Sequence, residues 1–130
     1  MYPSDYRYTK EHEWVSVSGG TGTIGITDYA QHELGDVVFV ELPEKGAQLK
    51  AGAVFGTVES VKAVSEIFAP VSGEVAETNA ARSGSPETVN SDPHGAGWLI
   101  KVKLANPGEV SGLMDAAAYQ AFVKEKEASA

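Results

Sequence analysis

The chain has 130 residues, a length that fits one folded domain, and it contains no cysteine. The lack of cysteine excludes disulfides, thiolate zinc sites and a cysteine nucleophile. The formal net charge of −8 argues against nucleic acid and anionic membranes as partners, because both are bound mainly through clustered Lys and Arg. An acidic surface suits docking onto basic protein partners instead.

The N-terminal sequence MYPSDYRYTK lacks the basic start and the apolar run of a signal peptide. The sequence also has no run of about 18 apolar residues, which a membrane helix would need. We therefore expect a soluble, cytoplasmic protein, or one of the mitochondrial matrix if a transit peptide has been removed.

Short strand-like runs separated by glycine dominate the pattern and predict an all-β sandwich or barrel over residues 1–130, as a single domain. A short helix is expected over 28–34, with Asp28 as its N-cap, and a second over about 115–128, capped by Asp115. Residues 79–97 form a long connection rich in Gly, Pro and Ser. The expected strands are WVSVS (14–18), TIGIT (23–27), VVFVEL (37–42), AVFGTVES (53–60), KAVSEIFA (62–69), EVAETN (74–79) and WLIKVKL (98–104).

Two motifs suggest chemistry that the rest of the sequence does not support. GTGTIG (20–25) matches the dinucleotide-binding fingerprint, but its third glycine continues a strand, and the helix that follows is too short for a parallel crossover. EHE (11–13) suggests a metal patch, but without a second His or Cys pair we interpret it as a solvated turn and predict no metal site. Beyond these two motifs, nothing in the sequence assembles a self-sufficient active site.

VESVKAVSEI, residues 58–67, places a lysine where a hairpin should turn. The tip, near Ser60 to Ala63, lacks the usual Gly or Asn. An amine at the apex of a rigid hairpin is well placed for acylation, which removes its charge and lengthens the side chain. The ordinary alternative is that Lys62 is a solvated surface charge.

Six segments match a known family in order and spacing over nearly the whole chain. They are YTKEHEWV (8–15), TIGITDYAQ (23–31), LGDVVFVELPEKG (34–46), VESVKA (58–63), PVSGEV (70–75) and VNSDPHGAGWLIKVK (89–103). On these segments the chain resembles the H proteins of the glycine cleavage system, which are lipoyl carriers. The resemblance implies a barrel-sandwich hybrid of two antiparallel sheets with short N-terminal and C-terminal helices. It also implies lipoic acid in amide linkage on Lys62.

The function implied by the resemblance is that of a shuttle. It would carry an aminomethyl group from the glycine decarboxylase (P protein) to the aminomethyltransferase (T protein), and electrons to the dihydrolipoyl dehydrogenase (L protein). Lipoate-attaching enzymes would be further partners, and we expect a monomer that catalyses none of these steps. The alternatives are a lipoyl relay to other lipoyl proteins, a biotin carrier, and a nucleotide-binding enzyme built on GTGTIG.

The resemblance also implies that the loaded arm folds back into a surface cleft, where carboxylates suit its cationic group. Glu13 matches the acid of the family's HEW motif, and Glu66 lies four residues after the lysine, where family members carry Asp or Glu. We predict both as cleft residues, with an ordinary solvated carboxylate as the alternative for each. His32 lies on the predicted short helix, but position 32 varies in kind among family members, so it is left out of this set.

Overall fold

Two antiparallel β-sheets form the molecule in the computed structural model, which describes residues 2–79 and 86–129. Within these residues the helices are α1 (Asp28–Leu34), α2 (Thr88–Ser91), α3 (Ala116–Ser129) and a 3₁₀ helix (Pro107–Gly112). The strands are β1 (Arg7–Tyr8), β2 (Glu13–Ser18), β3 (Thr21–Ile26), β4 (Val37–Glu41), β5 (Gln48–Leu49), β6 (Val54–Ser60), β7 (Val64–Phe68), β8 (Gly73–Thr78) and β9 (Ile100–Leu104).

The larger sheet has six strands in the order β1-β2-β3-β9-β8-β5, and the smaller has three in the order β4-β6-β7. Buried side chains from both sheets meet in one core cluster, which includes Ile24, Val40, Val58, Ile67 and Val102. Burial of each such side chain stabilises the fold by about 1.5–3 kcal/mol. The predicted all-β architecture of two antiparallel sheets with short helices is confirmed. Besides the seven expected strands, the described residues form two more, β1 and β5. The prediction missed both because a strand of two residues shows no periodicity.

The GTGTIG motif lies in the β2–β3 hairpin, so the dinucleotide-binding alternative is wrong. Gly19, with φ +61°, turns the chain. Gly25 has a packing role, since a Cβ there would lie 2.7 Å from two ring atoms of Trp14. Trp14 is buried, and its Nε1 donates to the carbonyls of Ile26 and Pro93, both at 2.9 Å, so its ring cannot move aside.

The N-cap of helix α1 lies one residue before the predicted cap. The N-cap is Thr27, whose Oγ1 accepts a hydrogen bond from the backbone N–H of Ala30 at 3.2 Å, and the predicted cap, Asp28, lies in the first turn. Both residue types cap helices, so the sequence could not separate two adjacent candidates. The cap predicted for α3 is confirmed, because Asp115 Oδ1 accepts from the N–H of Ala118 at 2.8 Å.

The long connection predicted over 79–97 contains α2, while residues 80–85 of it lie outside the described residues. Helix α3 packs through Tyr119 and Val123 on an aromatic cluster with Tyr8 and Trp14. Among the residues described, no helix combines the length and the apolar character needed to cross a membrane.

Candidate functional site

The hairpin between β6 and β7 turns at residues 60–63, as predicted, and carries Lys62 exposed at its tip. The N–H of Ser60 donates to the carbonyl of Ala63 at 2.8 Å. The Ser60 hydroxyl accepts from the N–H groups of Lys62 at 3.3 Å and Ala63 at 3.1 Å. A serine side chain thus closes the turn where a glycine is usual, and none of these four residues has a positive φ.

A second contact fixes the tip from outside. The N–H of Val61 donates to the carbonyl of Asp36, in the connection between α1 and β4, at 3.0 Å. In the same connection, a Cβ added to Gly35 would lie 3.5 Å from Cε of Lys62. The lysine stem therefore runs past the C-terminal end of α1.

Exposed apolar side chains surround the lysine. Val61 is 70% and Val64 63% exposed, and Val38 and Phe39 on β4 are exposed as well. Phe39 pairs with Glu59, which pairs with Val64, so these three residues form a row across the outer face of the small sheet. Exposed apolar side chains grouped in this way are typical of a surface that another protein contacts.

A cleft of about 190 Å³ opens between α1 and the β6–β7 hairpin, next to the lysine stem. Leu34, which precedes Gly35, lines it, and so does Val58. The remaining walls mix apolar and acidic side chains: Ile26, Tyr29, Ala30, Ile67, Ser65, His12, Glu11, Glu13, Glu33 and Glu66. None of the described residues that line it is Lys or Arg, so this lining favours a chain that is apolar along its length and cationic at its end.

Glu13 lies in this cleft and is 2% exposed, so the alternative of a solvated carboxylate is wrong for this residue. Its Oε1 accepts from Thr9 Oγ1 at 2.6 Å, and its Oε2 accepts from the N–H of Phe68 at 3.2 Å. Burial raises the pKa of Glu13 from 4.5 to about 7, an effect that these hydrogen bonds partly oppose. Glu13 can therefore gain or lose a proton near neutral pH.

Glu66 borders the same cleft, but it is exposed. Strand pairing places Glu66 in one row with Thr57 and Glu41 on the small sheet. Its neighbours Ser65 and Ile67 lie on the opposite face, because side chains alternate along a strand. The register thus places Glu66 at the outer rim. His32 lies outside the cleft and lines a separate groove between α1 and α3.

The EHE segment is not the solvated turn that we expected. Glu13 is buried, and His12, with φ +71°, lies 2.8 Å through Nδ1 from the Tyr119 hydroxyl, which is 2.7 Å from Thr27 Oγ1. Burial lowers the pKa of His12. Within residues 2–79 and 86–129, no three His, Cys, Asp or Glu side chains are grouped to hold a metal ion.

Sequence reasoning missed the contacts of His12 and the burial of Glu13. One signal for Glu13 was available: Glu13 and Val15 share a face in a strand of period two, and Val15 is buried. No local signal identifies Tyr119 as the partner of His12, because the two are joined only by the tertiary fold.

A fold of two antiparallel sheets with a lysine at a hairpin tip is that of the lipoyl and biotinyl carrier class. The family model described as glycine cleavage H-protein matches residues 6–126. The chain therefore belongs to the glycine cleavage H-protein family, whose members are lipoyl-bearing carrier components of the glycine cleavage system.

Relatives agree with this family. The glycine cleavage system H protein of Phenylobacterium zucineum is 61% identical over 117 residues, which cover 90% of this chain and 97% of that protein. The H protein of Acidobacterium capsulatum is 55% identical over 125 residues, 96% of each chain. The crystal structure of the H protein from Mycobacterium marinum superposes with a TM-score of 0.83 at 42% identity, covering 90% of this chain and 94% of that one.

Proposed function

We propose that this chain is the lipoyl-bearing shuttle of a glycine cleavage system and that Lys62 is its attachment point. The observation that carries the proposal is the placement of Lys62: an exposed amine on a hydrogen-bonded tip, with its stem against Gly35, the neighbour of the cleft-lining Leu34. When bound, the lipoyl group supplies a dithiolane that can accept an aminomethyl group or two electrons. The protein itself holds and presents the arm and does not catalyse the reactions of its partners.

The cleft residues fit such an arm. Leu34, Val58 and Ile67 offer apolar walls for a hydrocarbon chain, and they line the same cleft as the buried carboxyl of Glu13. The chain contains no cysteine, so an attached dithiol has no protein thiol with which to form a mixed disulfide. These features support lipoate as the group that the cleft receives.

Glu13 is the residue that we propose stabilises a cationic end of the arm. Burial holds its carboxyl near the point of half-ionisation at neutral pH, and an approaching cation favours the ionised form. The walls around it exclude water, which strengthens the attraction between the two charges. Glu66, at the outer rim, would act at longer range on an arm that enters or leaves the cleft.

The surface around Lys62 supports the proposed partners. An enzyme that acylates Lys62 must bring the end of a four-carbon stem into its active site, so it must cover the neighbouring Val61 and Val64. The P, T and L proteins act on the far end of the arm and need less contact with the tip. The net charge of −8 steers all of these partners through basic patches on their surfaces.

Loading of the lipoylated protein by a purified glycine decarboxylase with glycine tests the proposal. We expect the wild type to accept the aminomethyl group and Lys62→Arg to accept none. We expect Glu13→Ala to shorten the half-life of the loaded protein several-fold, while Glu44→Ala, which changes an exposed carboxylate not among the cleft-lining residues, leaves it unchanged.

Each result has a distinct meaning. Wild-type protein that is lipoylated but never loaded would contradict the glycine cleavage function. A half-life unchanged by Glu13→Ala would remove Glu13 from the site and leave the carrier function standing.

A further inference from the structure

Asn90, on α2, holds the backbone that supports the lysine tip. Its side-chain Nδ2 donates to the carbonyl of Gly35 and to Oε1 of Gln31, both at 2.9 Å. Its Oδ1 accepts from the N–H of Val37 at 2.7 Å. One amide thus fixes the residues on both sides of Asp36.

Asp36 is the residue that receives the tip. Its carbonyl accepts the hydrogen bond from Val61, the neighbour of Lys62. Because the peptide groups that flank Asp36 are both bonded to Asn90, the direction of this carbonyl depends on Asn90. Gly35, with φ +82°, also brings the backbone close to the lysine stem.

We propose that Asn90 is a positioning residue for Lys62: through Gly35, Asp36 and Val37 it sets the place and direction in which the tip presents its amine. This inference rests on the proposed function only in that acylation of Lys62 is one of its two readouts. Asn90 acts through the backbone and does not touch the amine in the contacts described.

The chemistry of the amide explains why asparagine serves here. The three contacts need two N–H donors and one acceptor on a short side chain, and asparagine offers both. Asn90→Asp has nearly the same shape and keeps the acceptor for Val37. It loses both donors and places an oxygen against the oxygens of Gly35 and Gln31. This variant therefore removes the contacts to Gly35 and Gln31, and keeps the one to Val37, with little change in packing.

A matched control exists elsewhere in the fold. Asn79 is buried whereas Asn90 is half-buried, but its Nδ2 likewise donates to two oxygens, the carbonyls of Ala96 at 3.1 Å and Trp98 at 2.8 Å. It makes no hydrogen bond to residues 35–37 in the contacts described. Asn79→Asp should therefore disturb the fold by a similar chemical change without loosening the tip.

The experiment compares Asn90→Asp with Asn79→Asp, first by hydrogen exchange of the Val61 amide in the unmodified protein. We expect about tenfold faster exchange at Val61 in Asn90→Asp, the size of one lost hydrogen bond, and no change in Asn79→Asp. Asn90→Ala is measured beside them, so that the result does not depend on a new charge. Equal exchange at Val61 in the wild type and both Asn90 variants would overturn the proposal.

The second readout is kcat/KM for acylation of Lys62 by a lipoate-attaching enzyme, corrected for the folded fraction. We expect a several-fold loss in Asn90→Asp and none in Asn79→Asp, because a mobile tip must be ordered when the enzyme binds it. Equal losses in both variants would assign Asn90 a structural role only and overturn the proposal. If the wild type is not acylated at all, the proposed function fails, while exchange at Val61 still decides whether Asn90 holds the tip.

Discussion

Two hairpins of this fold, β2–β3 and β6–β7, reverse the chain by different means. The β2–β3 hairpin turns through Gly19 and Gly20, and Gly19 adopts a left-handed conformation with φ +61°. The β6–β7 hairpin turns through residues 60–63 without glycine and without a positive φ. Its turn is closed by the Ser60 hydroxyl and tethered through Val61 to Asp36.

The difference separates a turn that only connects strands from one that presents a side chain. A glycine turn has no side chain to direct and leaves the backbone permissive. The tip at Lys62 restricts the backbone by hydrogen bonds from two sides, at the cost of exposing Val61 and Val64. None of residues 60–63 lies in the left-handed region, so the tip carries no backbone strain of that kind.

One buried carboxyl joins the two hairpins. Glu13 is the first residue of β2, in the β2–β3 hairpin, which we call the glycine hairpin. It accepts a hydrogen bond from the N–H of Phe68, the last residue of β7, in the β6–β7 hairpin, which we call the lysine hairpin. The cleft between α1 and the lysine hairpin therefore contains a carboxyl group that belongs to one hairpin and is hydrogen-bonded by the other.

The largest effect is expected from Gly25→Ala in the glycine hairpin. The new methyl group would press on the Trp14 ring, which is held by two hydrogen bonds, so we expect a loss of about 3 kcal/mol in the free energy of unfolding. Urea denaturation measures it. Gly20→Ala, where a Cβ meets nothing within 4 Å, is the control and should change little. Equal losses for the two variants would contradict the packing role of Gly25.

Glu13→Gln should make stability less dependent on pH. The unfolded chain releases the Glu13 proton near pH 4.5 and the folded chain near pH 7, so wild-type stability falls as pH rises through this window and stays low above it. Glutamine carries no charge at any pH, so the variant should be more stable at pH 8 by about 2–3 kcal/mol and nearly equal to the wild type at pH 4.

Urea unfolding at the two pH values measures this difference. Glu44→Gln, at an exposed carboxylate that does not line the cleft, serves as the control and should keep the pH dependence of the wild type. A Glu13→Gln effect of the same size at pH 4 and pH 8 would show that the buried carboxyl does not titrate in this window.

Ser60→Ala should weaken the lysine tip, because it removes the hydroxyl that accepts from Lys62 and Ala63. We expect a loss of about 1 kcal/mol in unfolding free energy and faster amide exchange at Ala63. Ser18→Ala, at an exposed position of the glycine hairpin, is the matched change and should stay within about 0.5 kcal/mol of the wild type. If the two serines behave alike, the Ser60 hydroxyl does not close the tip.

The smallest effect on stability is expected from Val61→Ser, because the side chain is already 70% exposed. Unfolding free energy should change by less than about 0.5 kcal/mol. The KM for acylation of Lys62 should nevertheless rise several-fold, since the acylating enzyme loses an apolar contact beside the amine. Val17→Ser is the control, because Val17 is also an exposed valine but lies on the larger sheet, whereas Lys62 belongs to a hairpin of the smaller one. An unchanged KM would remove Val61 from the proposed contact surface.

Much of the fold could be predicted because its strands show clear alternation between turn signals. The tip of the lysine hairpin could be predicted from missing turn residues, which is a local signal. Strands β1 and β5 could not, since two residues carry no period and their pairing depends on neighbouring strands.

The residues that hold the lysine tip and line the cleft were harder to predict than the lysine itself. Asn90 belongs to a segment distant in sequence from Lys62, and its contacts to Gly35 and Val37 arise only when α2 packs beside α1. Glu13 belongs to the charged segment EHE, which favours an exposed position. Only the strand face that it shares with the buried Val15 indicated that Glu13 is buried. Sequence patterns report local periodicity, whereas these contacts are set by tertiary packing.

Intact mass and peptide mapping of the protein produced in a host that makes lipoate test the central claim most directly. We predict one lipoyl group per chain, located on Lys62, and none on Lys62→Arg produced in the same way. Wild-type protein without a lipoyl group under those conditions, a group of biotin mass, or modification that persists in Lys62→Arg would contradict the account.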